Sequence, residues 1–220
     1  MTDAPLTIPD DGPHRGIATS NLRDRFALDL FDVLWDRYRG RVSYVRDYER
    51  VILESNATFV NDHIAFRTLA GQDPLTGIAV LSRIFEALGY RPGGCYSFED
   101  KRLNAIHYRH PHPEFPKLFV SELKTWELPE DVCATICGLL ASHRRPIAVD
   151  RLRRLANVEQ CNDEQRSELL AAVVAEFHDL PWDLPEKADV EAVNADSQYA
   201  AWVMVHGYNV NHFTSLVNSH

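Results

Sequence analysis

The sequence has few cysteines and no long apolar run. Its four cysteines among 220 residues are too few to form the disulfide framework of a small secreted domain. No stretch approaches the roughly 18 apolar residues that would span a bilayer. The first residues contain no basic segment followed by an apolar one, as a secretory signal peptide would. These absences predict a cytoplasmic protein that does not enter a membrane.

Positive charge is also scarce. The chain has 23 lysines and arginines against 32 aspartates and glutamates, which gives a formal net charge of −9. Nucleic acid and an anionic membrane surface would each require a basic face, so neither is the expected partner. Because 45% of the residues are hydrophobic, the chain can bury a core. A small molecule is therefore the expected ligand, and the sequence does not indicate an oligomeric state.

Changes in periodicity divide the chain into four segments. Residues 1–18 are rich in Pro and Asp and are predicted to form a flexible leader. Residues 19–128 begin with a helical pattern and continue in the order β-α-β-β-β. Residues 129–206 have helical periodicity and are interpreted as a helical insert, while residues 207–220 are again typical of a strand. The prediction is an α+β fold with one βαβββ module, a helical insert and the start of a second module.

Individual elements follow from the same patterns. Strands of the module are predicted over residues 61–69, 96–103, 104–110 and 117–123. Helices of the insert are predicted over residues 130–142, 149–156, 163–178 and 188–206. Asn162 and Gln165 are spaced as a capping pair at the start of the third of these helices.

The stretch NDHIAFRTL, residues 61–69, places a histidine and an arginine in a predicted β-strand. Side chains alternate between the faces of a strand, so His63 and Arg67 share one face, while Ile64 and Phe66 share the other. The face of His63 and Arg67 is small and polar at its centre, which suits a concave site better than a packed core. An imidazole that binds a metal ion and a guanidinium that binds an anion would then hold opposite ends of one small molecule, about 13 Å apart along the strand.

The end of the chain repeats this pattern. NHFT at residues 211–214 echoes DHIA at residues 62–65, with His212 in the place of His63. The repeat suggests two modules, each of which contributes a histidine to a shared cavity. Two histidines supply two ligands of a two-histidine, one-carboxylate site, which leaves positions on Fe(II) open for substrate and oxygen. The residues alone also allow a simpler interpretation, with both histidines as hydrogen-bonded core residues and Arg67 in a surface ion pair.

Four motifs carry a resemblance to a known family. DHIAFRTL, HYRHP, KLFVSEL and WVMVHGYNVNHFT together resemble the 2-oxoadipate dioxygenase/decarboxylase family, from about residue 22 to the C-terminus. That family resembles the vicinal-oxygen-chelate superfamily in its barrel, which implies a vicinal-oxygen-chelate-like fold. Its members convert 2-oxoadipate, an intermediate of lysine breakdown, with O₂ into 2-hydroxyglutarate and CO₂ on non-haem Fe(II). The resemblance therefore implies a 2-oxo acid and O₂ as partners and Fe(II) as the cofactor.

The resemblance also assigns site residues. His63 and His212 match the two histidine ligands of the family, and Arg67 matches its substrate-binding arginine. The third ligand of the family is a glutamate in the fourth strand of the second module, for which the sequence has no counterpart. Glu122 occupies the pseudo-symmetric position in the first module and is the candidate third ligand.

Two other functions remain open on the sequence. One is a metal-dependent lyase, isomerase or hydrolase of the glyoxalase-like superfamily, which would use its metal as a Lewis acid without oxygen. The other is a truncated, non-catalytic module. Metal analysis and oxygen consumption would separate these functions from a dioxygenase.

Overall fold

The structure is a computed structural model that describes residues 6–55, 57–144 and 147–216. Its helices are α1 (Leu22–Arg41), α2 (Ser43–Glu54), α3 (Ile78–Ala87), α4 (Glu130–Leu140), α5 (Val149–Ala156), α6 (Asp163–His178), α7 (Lys187–Asp196) and α8 (Gln198–His206). Its strands are β1 (Asn61–Leu69), β2 (Arg91–Phe98), β3 (Leu103–Arg109), β4 (Lys117–Leu123) and β5 (Val210–Ser215). None of the helices in these described ranges has both the length and the apolar character needed to cross a membrane.

The strands form one sheet in the order β2-β3-β4-β1-β5. β1 runs parallel to β4 and antiparallel to β5, while β3 is antiparallel to both of its neighbours. A parallel pair requires a crossover connection, which α3, β2 and β3 supply between β1 and β4. The predicted α+β fold with a βαβββ module is confirmed. The assignment of β5 to a second module stays a prediction.

One face of the sheet is covered by helices. Ile64, Phe66 and Val120 point to this face and are completely buried. The ring of Phe66 packs 5.0 Å from that of Phe85 on α3 and 5.3 Å from that of Phe177 on α6, measured between centroids. Burying each such side chain contributes about 1.5–3 kcal/mol to stability. The packing therefore fixes which face of β1 is inside the core and leaves the other for polar residues.

The helical segment after β4 agrees largely with its prediction. α5 and α6 have the predicted bounds, and the capping box of Asn162 and Gln165 is present at the start of α6. The single helix predicted over residues 188–206 is instead two helices, α7 and α8. Ser197 separates them, because its side chain accepts a hydrogen bond from the Ala200 N–H and so begins a new helix.

Two further elements differ from their predictions. α2 lies in a segment for which no helix was predicted. β2 begins at Arg91, five residues before the predicted start, and includes Pro92 and two glycines. Pro and Gly in this stretch suggest a turn, but β2 is an edge strand of the sheet, where a residue without an N–H is tolerated.

The prediction of a flexible leader does not hold for residues 11–17. His14 is only 1% exposed, and its Nδ1 lies 2.8 Å from Oδ1 of Asp32 on α1. Its Nε2 lies 3.1 Å from Oδ1 of Asn61 at the start of β1. At Gly12, a Cβ atom would lie 2.3 Å from Cγ of Asp32, so a larger residue would clash there. This segment is packed against the core because a buried polar side chain holds it.

Candidate metal and substrate site

His63 of β1 and His212 of β5 meet on the face of the sheet that α3 and α6 leave uncovered. The antiparallel register pairs His63 with Thr214 and Ala65 with His212. Because paired residues of neighbouring strands point to the same face, the register brings the two imidazoles together. Their Nε2 atoms are 3.4 Å apart, although the residues are 149 positions apart in the chain. The structure thus brings together the two predicted histidine ligands.

Each imidazole is oriented by the residue before it. Nδ1 of His63 lies 2.9 Å from Oδ2 of Asp62, and Nδ1 of His212 lies 3.2 Å from Oδ1 of Asn211. A carboxylate or amide oxygen can only accept in these contacts, so each Nδ1 carries the proton and each Nε2 keeps its lone pair. Two adjacent lone pairs repel each other unless a cation lies between them. This arrangement suits a shared metal ion.

The surroundings keep the ligands in the charge states that metal binding requires. Burial lowers the pKa of His212 below its ordinary value, and the nearby His63 and Arg67 lower it further. For Asp62, burial raises the pKa, but hydrogen bonds from His63 and Lys117 outweigh it and leave the pKa below its usual range. At neutral pH the His212 ring is therefore neutral and Asp62 is a carboxylate. A neutral imidazole backed by an acceptor is the form that binds a metal ion.

The distance between the two nitrogens fits a single metal ion. Two nitrogens each about 2.1 Å from one ion, at an angle of roughly 90–110°, would be about 3.0–3.4 Å apart. Imidazole ligands suit Fe, Zn, Cu and Ni. Within the described part of the chain, no group of three or more His, Cys, Asp or Glu side chains could hold a metal. The described residues could therefore supply at most two protein ligands to one ion at this place, His63 and His212.

A side chain at the start of β1 joins the two histidine strands. Nδ2 of Asn61 donates to the carbonyl oxygens of His63 and Thr214, at 3.1 and 2.9 Å. Oδ1 of the same amide faces the buried ring of His14. The pairing of β1 with β5 beside the histidines is thus fixed by side-chain bonds as well as by the backbone ladder.

Glu122 lies on the opposite face of the sheet. It is paired with Thr68 in the parallel register of β1 and β4, whereas Arg67 is paired with Ser121. Oε2 of Glu122 accepts a hydrogen bond of 3.0 Å from the Ile78 N–H at the start of α3. A carboxylate at this position satisfies an N–H group that has no partner within the helix. The structure does not bring Glu122 to the histidines, so we do not retain it as a third ligand.

Arg67 shares the uncovered face with the histidines. Its Cζ lies 5.0 Å from the ring centroid of Tyr199 and 5.4 Å from that of Trp202, both on α8. Among the described residues, no ion pair or hydrogen bond involves the guanidinium of Arg67. A guanidinium without a carboxylate partner, held against apolar rings, is suited to bind the carboxylate of a ligand in two parallel hydrogen bonds.

A cavity of about 400 Å³ connects Arg67 to His212. Aromatic and aliphatic side chains, among them Phe98, Leu103 and Phe119, form much of its wall. None of the described residues that line it is acidic, so an anion would meet no fixed negative charge from them. Cavities of this size, with mostly apolar walls and a few polar groups, are typical of sites for small molecules. A larger cavity of about 660 Å³ beside α2 contains neither histidine, so we do not assign the site there.

Several residues of this site were not found by sequence analysis. Tyr199 and Trp202 fall in the predicted helical insert, where aromatic residues three positions apart are usually core residues. The sequence did contain an indication for Asp62 and Asn211, since an oxygen-bearing side chain precedes each histidine of the repeated pattern. That signal becomes meaningful only when the two strands are seen to be neighbours.

Comparison with solved structures first gives the class of fold. The structure superposes on that of a protein assigned to the glyoxalase superfamily from Ralstonia eutropha JMP134, with a TM-score of 0.81 and 24% identity, over 96% of this chain and 68% of that one. It also superposes on hydroxyglutarate synthase from Oryza sativa, solved in complex with 2-oxoadipate, with a TM-score of 0.72 and 22% identity, over 99% of this chain and 64% of that one. At these identities the likeness concerns the fold alone.

The sequence then gives the family. The model of the 2-oxoadipate dioxygenase/decarboxylase family matches residues 32–219, and the chain belongs to this family. A curated relative, the chloroplastic/amyloplastic 2-oxoadipate dioxygenase/decarboxylase of Oryza sativa subsp. japonica, is 28% identical over 163 residues, which cover 70% of this chain and 38% of the relative. The chain spans about two fifths of the length of the curated relatives it matches. The family resemblance expected from the four motifs is confirmed.

Proposed function

We propose that the protein acts as a 2-oxoadipate dioxygenase/decarboxylase, which converts 2-oxoadipate and O₂ into 2-hydroxyglutarate and CO₂ in lysine breakdown. The six-carbon oxo acid loses one of its two carboxyl carbons as CO₂, and the five-carbon hydroxy acid remains. The observation that carries this proposal is the distance of 3.4 Å between the Nε2 atoms of His63 and His212, with the unpaired Arg67 on the same face. Membership of the family supports the choice of substrate.

The two histidines would hold Fe(II). When bound, the iron would supply the oxidising chemistry and a chelation site for the 2-oxo acid, which no side chain of the protein provides. Asp62 and Asn211 hold the protons on the two Nδ1 atoms and so keep both Nε2 atoms available. Two histidines that leave positions open for substrate and O₂ favour Fe(II) over the other metals that imidazole binds.

Arg67 would bind the carboxylate of 2-oxoadipate that lies farther from the keto group. Arg67 lies four residues from His63 on β1. This spacing separates the anion site from the metal site by most of the length of a small dicarboxylate. Among the residues that the structure describes, the lining of the cavity between Arg67 and His212 contains no acidic side chain that would compete for the guanidinium. Its apolar walls would hold the methylene chain and exclude water from the reacting end.

The test is the stoichiometry of gas exchange. We expect the protein, loaded anaerobically with Fe(II) and then mixed with O₂ and 2-oxoadipate, to consume one O₂ for each CO₂ released. Replacing either ligand, as His63→Ala or His212→Ala, should abolish both signals and Fe(II) retention. His112→Ala is the matched control, because this histidine is hydrogen-bonded to the Ala18 carbonyl and is not among the described residues that line the cavity.

Two outcomes would overturn the proposal. Conversion of 2-oxoadipate without O₂ uptake would replace the dioxygenase by a metal-dependent lyase on the same fold. Absence of any turnover, with Fe(II) retained by both histidines, would leave a module that binds metal and is not catalytic by itself.

A further inference from the structure

α8 presents two aromatic rings to the guanidinium of Arg67. Tyr199 and Trp202 are three positions apart, and side chains at this spacing lie on one side of a helix. An arginine side chain has many rotamers, and ordering one when a ligand binds costs about 0.5–1.5 kcal/mol. Rings that hold the guanidinium beforehand would remove part of this cost.

Tyr199 is fixed to the two strands that form the floor of the site. Its hydroxyl lies 2.8 Å from Oγ of Ser121 and 3.2 Å from the Thr68 N–H. Oγ of Ser121 donates in turn to the Phe66 carbonyl at 3.2 Å. One arrangement of protons satisfies all three contacts: Thr68 donates to Tyr199, Tyr199 donates to Ser121, and Ser121 donates to Phe66. The ring therefore cannot shift relative to β1 without breaking this chain.

Thr68 lies in the part of β1 that is beyond its pairing with β5. Pairing of β1 with β5 ends at Phe66, and the Thr68 N–H bonds to the tyrosine hydroxyl. Burial raises the pKa of Tyr199 to about 12, although the hydrogen bond with Ser121 opposes this effect. The phenol is thus neutral at physiological pH and keeps the proton that it donates.

Trp202 is held differently, by two cations. Its ring lies 5.4 Å from Cζ of Arg67 and 5.8 Å from Cζ of Arg41. Arg41 is itself anchored, because its Nη2 donates to the Val210 carbonyl at 2.6 Å. A cation over a ring face is attracted by the negative charge of that face. The two aromatic residues of α8 thus approach the Arg67 guanidinium from anchored positions.

We propose that Tyr199 and Trp202 are positioning residues that hold the Arg67 guanidinium ready for a ligand carboxylate. Contacts to the ring faces leave the N–H groups of the guanidinium free, and two of them match the two oxygens of a carboxylate. The pair would therefore favour a ligand that carries a carboxylate over a neutral ligand of equal length. The identity of the substrate rests on the proposed function, but the effect of the two rings on anion binding does not.

The experiment uses the full chain without metal and two probes of equal length, adipate and the neutral adipamide. Affinities are measured by NMR titration, and folding is checked by circular dichroism. We expect Arg67→Ala to abolish the preference for adipate. Trp202→Leu should weaken adipate binding by about 2- to 30-fold, which is the range that the loss of one cation–π contact gives. Adipamide binding should be unchanged in both variants.

Conservative variants separate positioning from folding. Tyr199→Phe keeps the ring and loses the hydroxyl, so we expect a smaller loss of adipate affinity than for Trp202→Leu. Trp202→Phe retains a ring and should recover part of the affinity. Trp126→Leu and Tyr44→Phe are matched controls, because these side chains are 56% and 68% exposed away from the site.

The outcomes distinguish this proposal from the proposed function. Equal losses for adipate and adipamide, or equal losses in Trp202→Leu and Trp126→Leu, would overturn the positioning role even if the iron-loaded protein turns over 2-oxoadipate. A selective loss for adipate in a protein without turnover would support the positioning role while the proposed reaction fails. In an active enzyme, Trp202→Leu should raise the KM for 2-oxoadipate and leave kcat nearly unchanged.

Discussion

The two faces of β1 differ in what they contribute. Ile64, Phe66 and Thr68 are completely buried against the helices, whereas the side chain of His63 is 31% exposed. Arg67, on the same face as His63, has aromatic neighbours and no ion pair within the described residues. Alternation along a single strand thus separates residues that stabilise the fold from residues whose polar side chains are available to a ligand. Stability and metal binding should therefore respond to different substitutions.

The largest expected effect is on the packed face. Phe66→Ala removes a ring that contacts Phe85 and Phe177, and we expect it to lower the free energy of unfolding by about 3–5 kcal/mol. His63→Ala, three positions earlier on the other face, should change it by less than about 1 kcal/mol. Urea denaturation of the metal-free proteins measures the free energy of unfolding of both variants. Similar losses in the two variants would contradict the separation of the faces.

An intermediate effect is expected from the residue that orients His63. Asp62→Asn replaces the carboxylate that accepts from Nδ1 of His63, and such changes typically lower metal affinity about 10- to 100-fold. Asn211→Asp, the reciprocal change behind His212, should not lower the affinity. Calorimetric titration with Co(II) or Fe(II) compares the metal affinities of the two variants.

A control addresses the second partner of Asp62. Lys117→Met removes the cation that also contacts this carboxylate, at 3.0 Å. If Lys117→Met weakens metal binding as much as Asp62→Asn, the effect comes from this ion pair and not from the orientation of His63.

The smallest effect is expected at Glu122. Glu122→Gln keeps an oxygen for the Ile78 N–H but removes the negative charge at the start of α3, which should cost about 0.3–1 kcal/mol of stability. Metal affinity should not change, because the side chain faces away from the histidines. Thermal unfolding and the same metal titration give the two values. A clear loss of metal affinity would restore Glu122 as a ligand.

Local patterns predicted much of the fold and part of the site. The alternation in residues 61–69 correctly placed Ile64 and Phe66 in the core, because burial on one face imposes a period of two. The same rule applied to KLFVSEL would have placed Glu122 with Leu118 and Val120 on the packed face. The error at Glu122 came from relying on its pseudo-symmetric position, which gives a location along a strand but not a face.

Long-range contacts explain what the sequence could not predict. The meeting of His63 and His212 depends on the register of two strands about 150 residues apart. The repeated pattern and the family resemblance pointed to a shared cavity, but neither gave this register. The contact between Arg67 and Trp202 depends on how α8 packs over β1, which no local pattern encodes. β2 was misplaced because its tolerance for Pro92 comes from its place at the edge of the sheet.

The buried ring of His14 has a practical consequence for anyone who prepares shortened forms of the protein. His14, in the segment before α1, contacts the side-chain amide of Asn61, which joins the two histidine strands. Removing residues 1–18 for crystallisation would leave the Asn61 amide without its contact to His14. Weak metal uptake by such a shortened protein would then reflect a missing N-terminal side chain, even with both ligands intact.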